Sequence, residues 1–206
     1  MKFTLGVDEA GRGPLAGPVS LGMVMVQEGF DVAREFPGVA DSKKLSEKKR
    51  EKIYEMLEAR VALGDVCVAV EFESAKTIDD IGIVPAVQSA LNRGVNTVVT
   101  YGSQTFLARG NSDFNILLDG SLHAAKEYTQ ETIIHGDALV PIISLASIAA
   151  KVERDHLMVA LAREYPEYGF ETHKGYGTKM HYEKLREHGP CAIHRQSFLH
   201  LAFPVI

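Results

Sequence analysis

Phe3, Leu5 and Val7 alternate with Lys2, Thr4 and Gly6, the period of a strand with one buried face. Val19, Leu21 and the run Met23 to Val26 predict a second, more fully buried strand, and Val66, Val68 and Val70 a third. Ile116 to Leu118 and Thr132 to Ile134 predict strands that stop at Asp119-Gly120 and at His135-Gly136-Asp137, and Thr97 to Tyr101 reads as one more short strand. Helical spacing separates these runs. Ser46 can cap a helix over about 47–60, where Ile53, Met56 and Leu57 share a face, and Val84, Val87 and Leu91 mark another near 80–93. Residues 142–164 hold neither Gly nor Pro and are rich in Ala, which predicts a long helix. Thr178 can cap a last helix over 179–188, closed by Gly189-Pro190. Residues 28–42 read as a loop, and 102–112 as a hairpin tip or an insertion.

Strands alternating with helices predict an α/β fold with a mixed central sheet flanked by helices. At 206 residues one domain is the default, and 46% hydrophobic with 24% charged residues is ordinary globular composition. The net charge of -5 does not advertise nucleic-acid binding, yet binding needs only a local basic surface. Cys67 and Cys191 are far apart without a CxxC spacing, which argues against structural zinc or a disulfide framework. The chain shows no signal-peptide pattern and no apolar run near the roughly 18 residues that span a bilayer. A cytoplasmic protein without membrane contact is the expectation.

The chemistry concentrates at the strand ends. Asp8, Asp119 and Asp137 each follow an apolar strand-like run, and ligand sites in α/β sheets collect just beyond such ends. With Glu9, four carboxylates could meet there, but like charges so placed would force protonation unless cations lay between them. An oxygen-only donor set favours Mg2+ or Mn2+, and two such ions about 4 Å apart can drive phosphodiester hydrolysis. After Asp8-Glu9 the chain runs Gly11-Arg12-Gly13-Pro14, which puts a cation in a glycine-framed turn. Arg12 could pair with a phosphate, its loop backbone could meet a sugar, or it could be a surface Arg held by a neighbouring acid.

The run from Asp8 through Gly11-Arg12-Gly13-Pro14-Leu15-Ala16-Gly17-Pro18 resembles the signature of type 2 ribonuclease H, ribonuclease HII. Ala40-Asp41-Ser42-Lys43-Lys44-Leu45, Leu118-Asp119-Gly120, Gly136-Asp137, Ser144 to Asp155, Gly175-Tyr176-Gly177-Thr178 and His194-Arg195-Gln196-Ser197-Phe198 resemble its later motifs in order. The Arg12-Gly13-Pro14 continuation speaks against ribonuclease HIII, and the adjacent Asp-Glu pair against type 1. All four acids are present, which speaks against a non-catalytic binding module.

The resemblance implies a ribonuclease H-like fold, a single catalytic unit over 1–206 whose small helical part from about 165 carries substrate-binding motifs. It implies Asp8, Glu9, Asp119 and Asp137 as catalytic metal ligands for Mg2+ or Mn2+. Its substrates would be RNA–DNA hybrids and duplex DNA with embedded ribonucleotides, cut 5' of the ribonucleotide. Gly11, Arg12 and Gly13 would sense the ribose 2'-hydroxyl, and Tyr176 would stack on the next sugar. Lys43, Lys44, Ser147 and Arg195 are the further expected substrate contacts, and Asp155 is expected to support the fold. The basic and histidine residues between 173 and 200 predict a positive face for a duplex backbone. Gln196, Leu199 and Phe203 form only a partial clamp-binding peptide, with Ala202 at an aromatic position, so sliding-clamp binding is not expected; a monomer is.

Overall fold

The computed structural model describes residues 1–105 and 113–199. In chain order the elements are β1 (Lys2–Ala10), β2 (Val19–Gln27), α1 (Val32–Glu35), α2 (Glu47–Leu63), β3 (Val66–Glu73), α3 (Ala75–Ile81), α4 (Ile83–Thr105), β4 (Asp113–Asp119), β5 (Thr129–Ile133), α5 (Gly136–Leu139), α6 (Pro141–Glu164), α7 (Phe170–His173), α8 (Lys179–His188) and α9 (Gln196–Leu199). The sheet runs β3-β2-β1-β4-β5. Its first three strands are antiparallel neighbours, while β4 and β5 join parallel to β1. The sheet is mixed, with helices on both faces.

Strand alternation divides the core. Leu5, Val7, Leu21, Met23 and Met25 face α3 and α4, where they meet Ile78, Val87, Leu91 and Val98. Val24 and Val26 face the other way, toward α6 and toward Ile53 and Leu57 of α2. On that second face α6 lies almost against the sheet backbone. A Cβ on Gly22 would stand 2.2 Å from the Ala146 carbonyl oxygen, and one on Gly6 2.5 Å from that of Ile142. Only glycine fits at such approaches. A third cluster joins Leu15, Ala16, Met158, Tyr168, Phe170 and Leu185, so the segment after α6 packs back onto the β1–β2 connection.

The helices over 47–60, 142–164 and 179–188 are present, with Ser46 and Thr178 capping α2 and α8 as expected. The short strand expected at Thr97 to Tyr101 is instead the second half of α4. Its β-branched residues invite the strand reading, but Ala90, Leu91, Val95 and Val98 fall on one buried helical stripe. Gly94 and Gly102, which argue against a helix, sit where Met23 and Met25 press on it: a Cβ on either would meet a methionine methyl at 1.8 Å. Of the expected loop at 102–112, residues 106–112 lie outside the described residues, as do Ala202 and Phe203 of the partial clamp peptide.

Candidate active site

Three parallel strands bring the aspartates together. Asp8 lies near the end of β1, Asp119 closes β4, and Asp137 opens the short α5 just after β5. One oxygen from each carboxylate lies within 4.8 Å of the others. The Asp137 amide donates to Asp119 Oδ1 at 3.3 Å, and the Ser144 hydroxyl holds the Asp137 carbonyl at 2.7 Å. Asp8 points to the α6 face of the sheet, where it accepts from the Glu9 amide at 2.7 Å and from the Ser147 hydroxyl. Burial pushes the Asp8 carboxyl up to about 8, with Asp119 and Glu9 adding to the rise against the Ser147 bond.

Glu9 is the next residue of an unbroken strand and so leaves on the opposite side from Asp8. It is not one of the three carboxylates whose oxygens cluster, and it pairs with Arg12 at 3.2 Å. Burial nonetheless raises its pKa, with the charge of Asp119 contributing, which places it beside the cluster. Lys43 reaches in from the loop before α2, its ammonium 3.0 Å from Asp137. A cation therefore already stands at the carboxylates. A set of oxygen donors that raises the pKa of its most buried member and draws in a lysine suits a divalent ion such as Mg2+ or Mn2+.

The recognition residues fall into two groups. Tyr176 is 41% exposed in its glycine-flanked turn, its ring 5.7 Å from the Lys151 ammonium and 5.8 Å from the Arg154 guanidinium. Gly13 is exposed and Arg12 partly so. The Gly11 and Arg12 carbonyls turn inward to Arg195, at 2.7 and 2.8 Å, and among the described residues nothing takes the amides of Arg12 and Gly13. The Tyr176 turn is tied to the same connection, since the Leu15 amide donates to the Gly175 carbonyl at 2.9 Å. Lys44 is exposed and stands 3.8 Å from Asp41.

Two expected substrate contacts are corrected. Arg195 is fully buried, its guanidinium spent on the carbonyls of Gly11, Arg12 and Gly17. Ser147 is 2% exposed, with its hydroxyl shared between Ser42 at 2.8 Å and Asp8. Both shape the site from beneath and cannot touch a ligand above it. His173, His181 and His194 are likewise buried, so they add nothing to a positive face.

Sequence reasoning missed Arg50 and Arg154. Asp155 holds Lys151 at 2.7 Å and Arg50 at 3.8 Å, and Arg50 in turn donates to the carbonyls of Ser42 and Leu45 around Lys43. Arg154 binds the carbonyls of Pro18, Lys174 and Ala16. The signal was the i,i+4 pair Lys151 and Asp155 on α6; for Arg50 the sequence holds none.

A mixed sheet of this order, with carboxylates at the ends of its parallel strands, belongs to the ribonuclease H-like hydrolases. The crystal structure of ribonuclease H2 from Pyrococcus horikoshii OT3 matches at TM-score 0.68 and 26% identity, over 95% of this chain and 93% of that one. Bst-RNase HIII, solved in complex with Mn2+, shares the fold at TM-score 0.65 and 16% identity, over 98% and 71%. A ribonuclease HII of Burkholderia thailandensis is 44% identical over 197 residues, 96% of this chain and 83% of the relative. The profile of the ribonuclease HII family matches residues 5–201, and the chain belongs to that family. It is a metal-dependent hydrolase of the RNA strand of RNA–DNA hybrids.

Proposed function

We propose that this endonuclease also cuts 5' of single ribonucleotides embedded in duplex DNA, leaving 3'-hydroxyl and 5'-phosphate ends. The observation that carries this reading is the common frame of the carboxylates, the Gly11-Arg12-Gly13 turn and Tyr176. With the Gly11 and Arg12 carbonyls held inward, the amides of Arg12 and Gly13 are left to face a ribose, whose 2'-hydroxyl distinguishes RNA from DNA. Tyr176 offers an exposed ring for the neighbouring sugar.

Asp8, Asp119 and Asp137, with Glu9 beside them, are the residues that would hold two Mg2+ or Mn2+ ions. Bound there, such a pair supplies an activated water and charge compensation at the leaving oxygen. Ser147 and the Glu9 amide keep the Asp8 carboxylate oriented, and the exposure of Lys43 and Lys44 supports a role for them in meeting phosphates. We read 1–206 as one catalytic unit, acting as a cytoplasmic monomer in replication and repair. No described helix is long and apolar enough to cross a membrane.

The test compares cleavage of a continuous hybrid and of a DNA duplex carrying one ribonucleotide, for wild type and for Tyr176→Phe and Tyr176→Ala, with Mg2+ and Mn2+ in separate reactions. Base stacking on an aromatic ring is worth about 1–3 kcal/mol, and a sugar contact should lie at or below that. The single-ribonucleotide rate should therefore fall more than the hybrid rate, Phe lying between. Wild type that cuts the hybrid but spares the single ribonucleotide overturns the reading, and an unchanged ratio across the variants makes Tyr176 a packing residue.

A further inference from the structure

Three buried histidines take no part in the chemistry above, yet they end on the turn that presents Tyr176. The Cys191 amide donates to His194 Nδ1 at 2.9 Å. A ring nitrogen that accepts carries no proton, so His194 is protonated on Nε2. That nitrogen faces His181 Nε2 at 3.0 Å, which must then be the acceptor. His181 is therefore protonated on Nδ1, which lies 2.9 Å from the Tyr176 carbonyl oxygen. A carbonyl can only accept, so the far end demands the same direction as the near one. The Thr178 amide, at 2.8 Å, is the second donor to that oxygen.

The chain of donors holds only while both rings are neutral. A proton added to His181 would set two N–H groups against each other across 3.0 Å, and one added to His194 would set its Nδ1–H against the Cys191 amide at 2.9 Å. The surroundings keep them neutral. His173 stacks on His181 with centroids 4.4 Å apart, Phe170 meets His181 edge-on, and Tyr168 lies 4.9 Å from His194. His173 is itself set as a neutral ring, accepting from the Gly175 amide and facing the Tyr168 carbonyl. Burial drives His181 and His194 down to about 4.

Gly175 and Gly177 give the Tyr176 turn little stiffness of its own, so its peptide planes must be held from outside. We propose that His194 and His181 are positioning residues for ribonucleotide recognition: their one-way hydrogen-bond chain fixes the Tyr176 carbonyl, and through it the ring that meets the sugar. This rests on the proposed role of Tyr176 as a substrate contact.

Long-range proton–nitrogen correlation spectra of the wild-type protein test the chain directly. His181 should show the Nδ1–H form, the less favoured tautomer of free histidine, and His194 the Nε2–H form; Nε2–H at His181 overturns the proposal. Activity gives an independent arm. In His194→Gln the amide reaches where Nε2–H stood, whereas in His194→Asn it reaches only the Nδ1 position. The ratio of single-ribonucleotide to hybrid cleavage should stay near wild type in His194→Gln and fall about fivefold in His194→Asn, the scale of one net hydrogen bond. Hybrid cleavage and Mg2+ affinity should be alike in the two. Equal ratios in both variants, with Tyr176→Ala still lowering the ratio, overturn the relay alone. A ratio that Tyr176→Ala leaves unmoved overturns the role of Tyr176, and the relay's purpose with it.

Discussion

Asp8, Asp119 and Asp137 at the strand ends, and His173, His181 and His194 beneath the Tyr176 turn, are both trios of like titratable groups drawn away from water. They differ in what each lacks. A neutral imidazole donates at one nitrogen and accepts at the other, so the histidines satisfy one another and the nearby backbone. Carboxylates only accept, and three together need a proton or a cation from outside. The self-sufficient trio is scaffold; the trio that leans on the Lys43 ammonium and on a raised Asp8 carboxyl is the place suited to a cationic ligand.

The largest expected effect breaks the carboxylate side. Asp8→Asn or Asp119→Asn should lower hybrid cleavage by at least about a hundredfold, the scale on which removing one preorganised charge-stabilising group acts. The fold should persist, and the metal-free Asp8→Asn protein should melt higher than wild type because a buried acid is gone. Near-normal turnover at saturating Mg2+ would remove these acids from the chemistry.

A smaller effect sharpens the contrast through pH. Asp8 is raised from 3.8 to about 8, so between those values the folded state holds a proton that the unfolded state has lost. Its contribution is intact below about pH 4 and is lost as pH climbs through 8. His181 and His194 are lowered from 6.5 to about 4, so there the unfolded state binds more protons. Their contribution is intact above 6.5 and is lost as pH falls toward 4. Metal-free protein should thus lose stability on both sides of an optimum, and Mg2+ should flatten only the alkaline side. Thermal midpoints from pH 4 to 8, with and without Mg2+, decide it; an alkaline side that ignores both Mg2+ and Asp8→Asn would refute the assignment.

The smallest effect concerns the cations. Lys43→Ala and Lys44→Ala should each reduce the salt dependence of hybrid affinity by about one unit of log–log slope. Arg195→Lys should leave that slope alone and lower the melting temperature, because the guanidinium faces carbonyls inside the protein. A changed slope for Arg195→Lys with unchanged slopes for both lysines would put the binding face elsewhere.

Much of this was legible beforehand, for specific reasons. Asp8, Asp119 and Asp137 stand at the ends of strands whose apolar periodicity is plain, and parallel neighbours carry such ends to one edge. The long helix α6 and the caps at Ser46 and Thr178 are local features that tertiary packing did not overrule. Arg195 and Ser147 were misread because polarity suggests a surface, whereas their partners, the carbonyls of Gly11, Arg12 and Gly17 and the hydroxyl of Ser42, are remote in sequence. The second half of α4 was misread because its glycines make room for methionines of β2, a relation that no local pattern records.

The parallel pairing of β1 with β4 sets Lys2 opposite Asp113 and Val7 opposite Leu118. Asp8 and Asp119 thus become neighbours only after the β2, β3 and α4 excursion has closed on itself, a long and slow loop to shut. An ion that meets the chain early finds at most the adjacent Asp8 and Glu9, without Asp119 and Asp137. A metal bound at the assembled carboxylates would therefore hold a finished fold rather than seed it, and its expected kinetic signature is slower unfolding with an unchanged rate of folding.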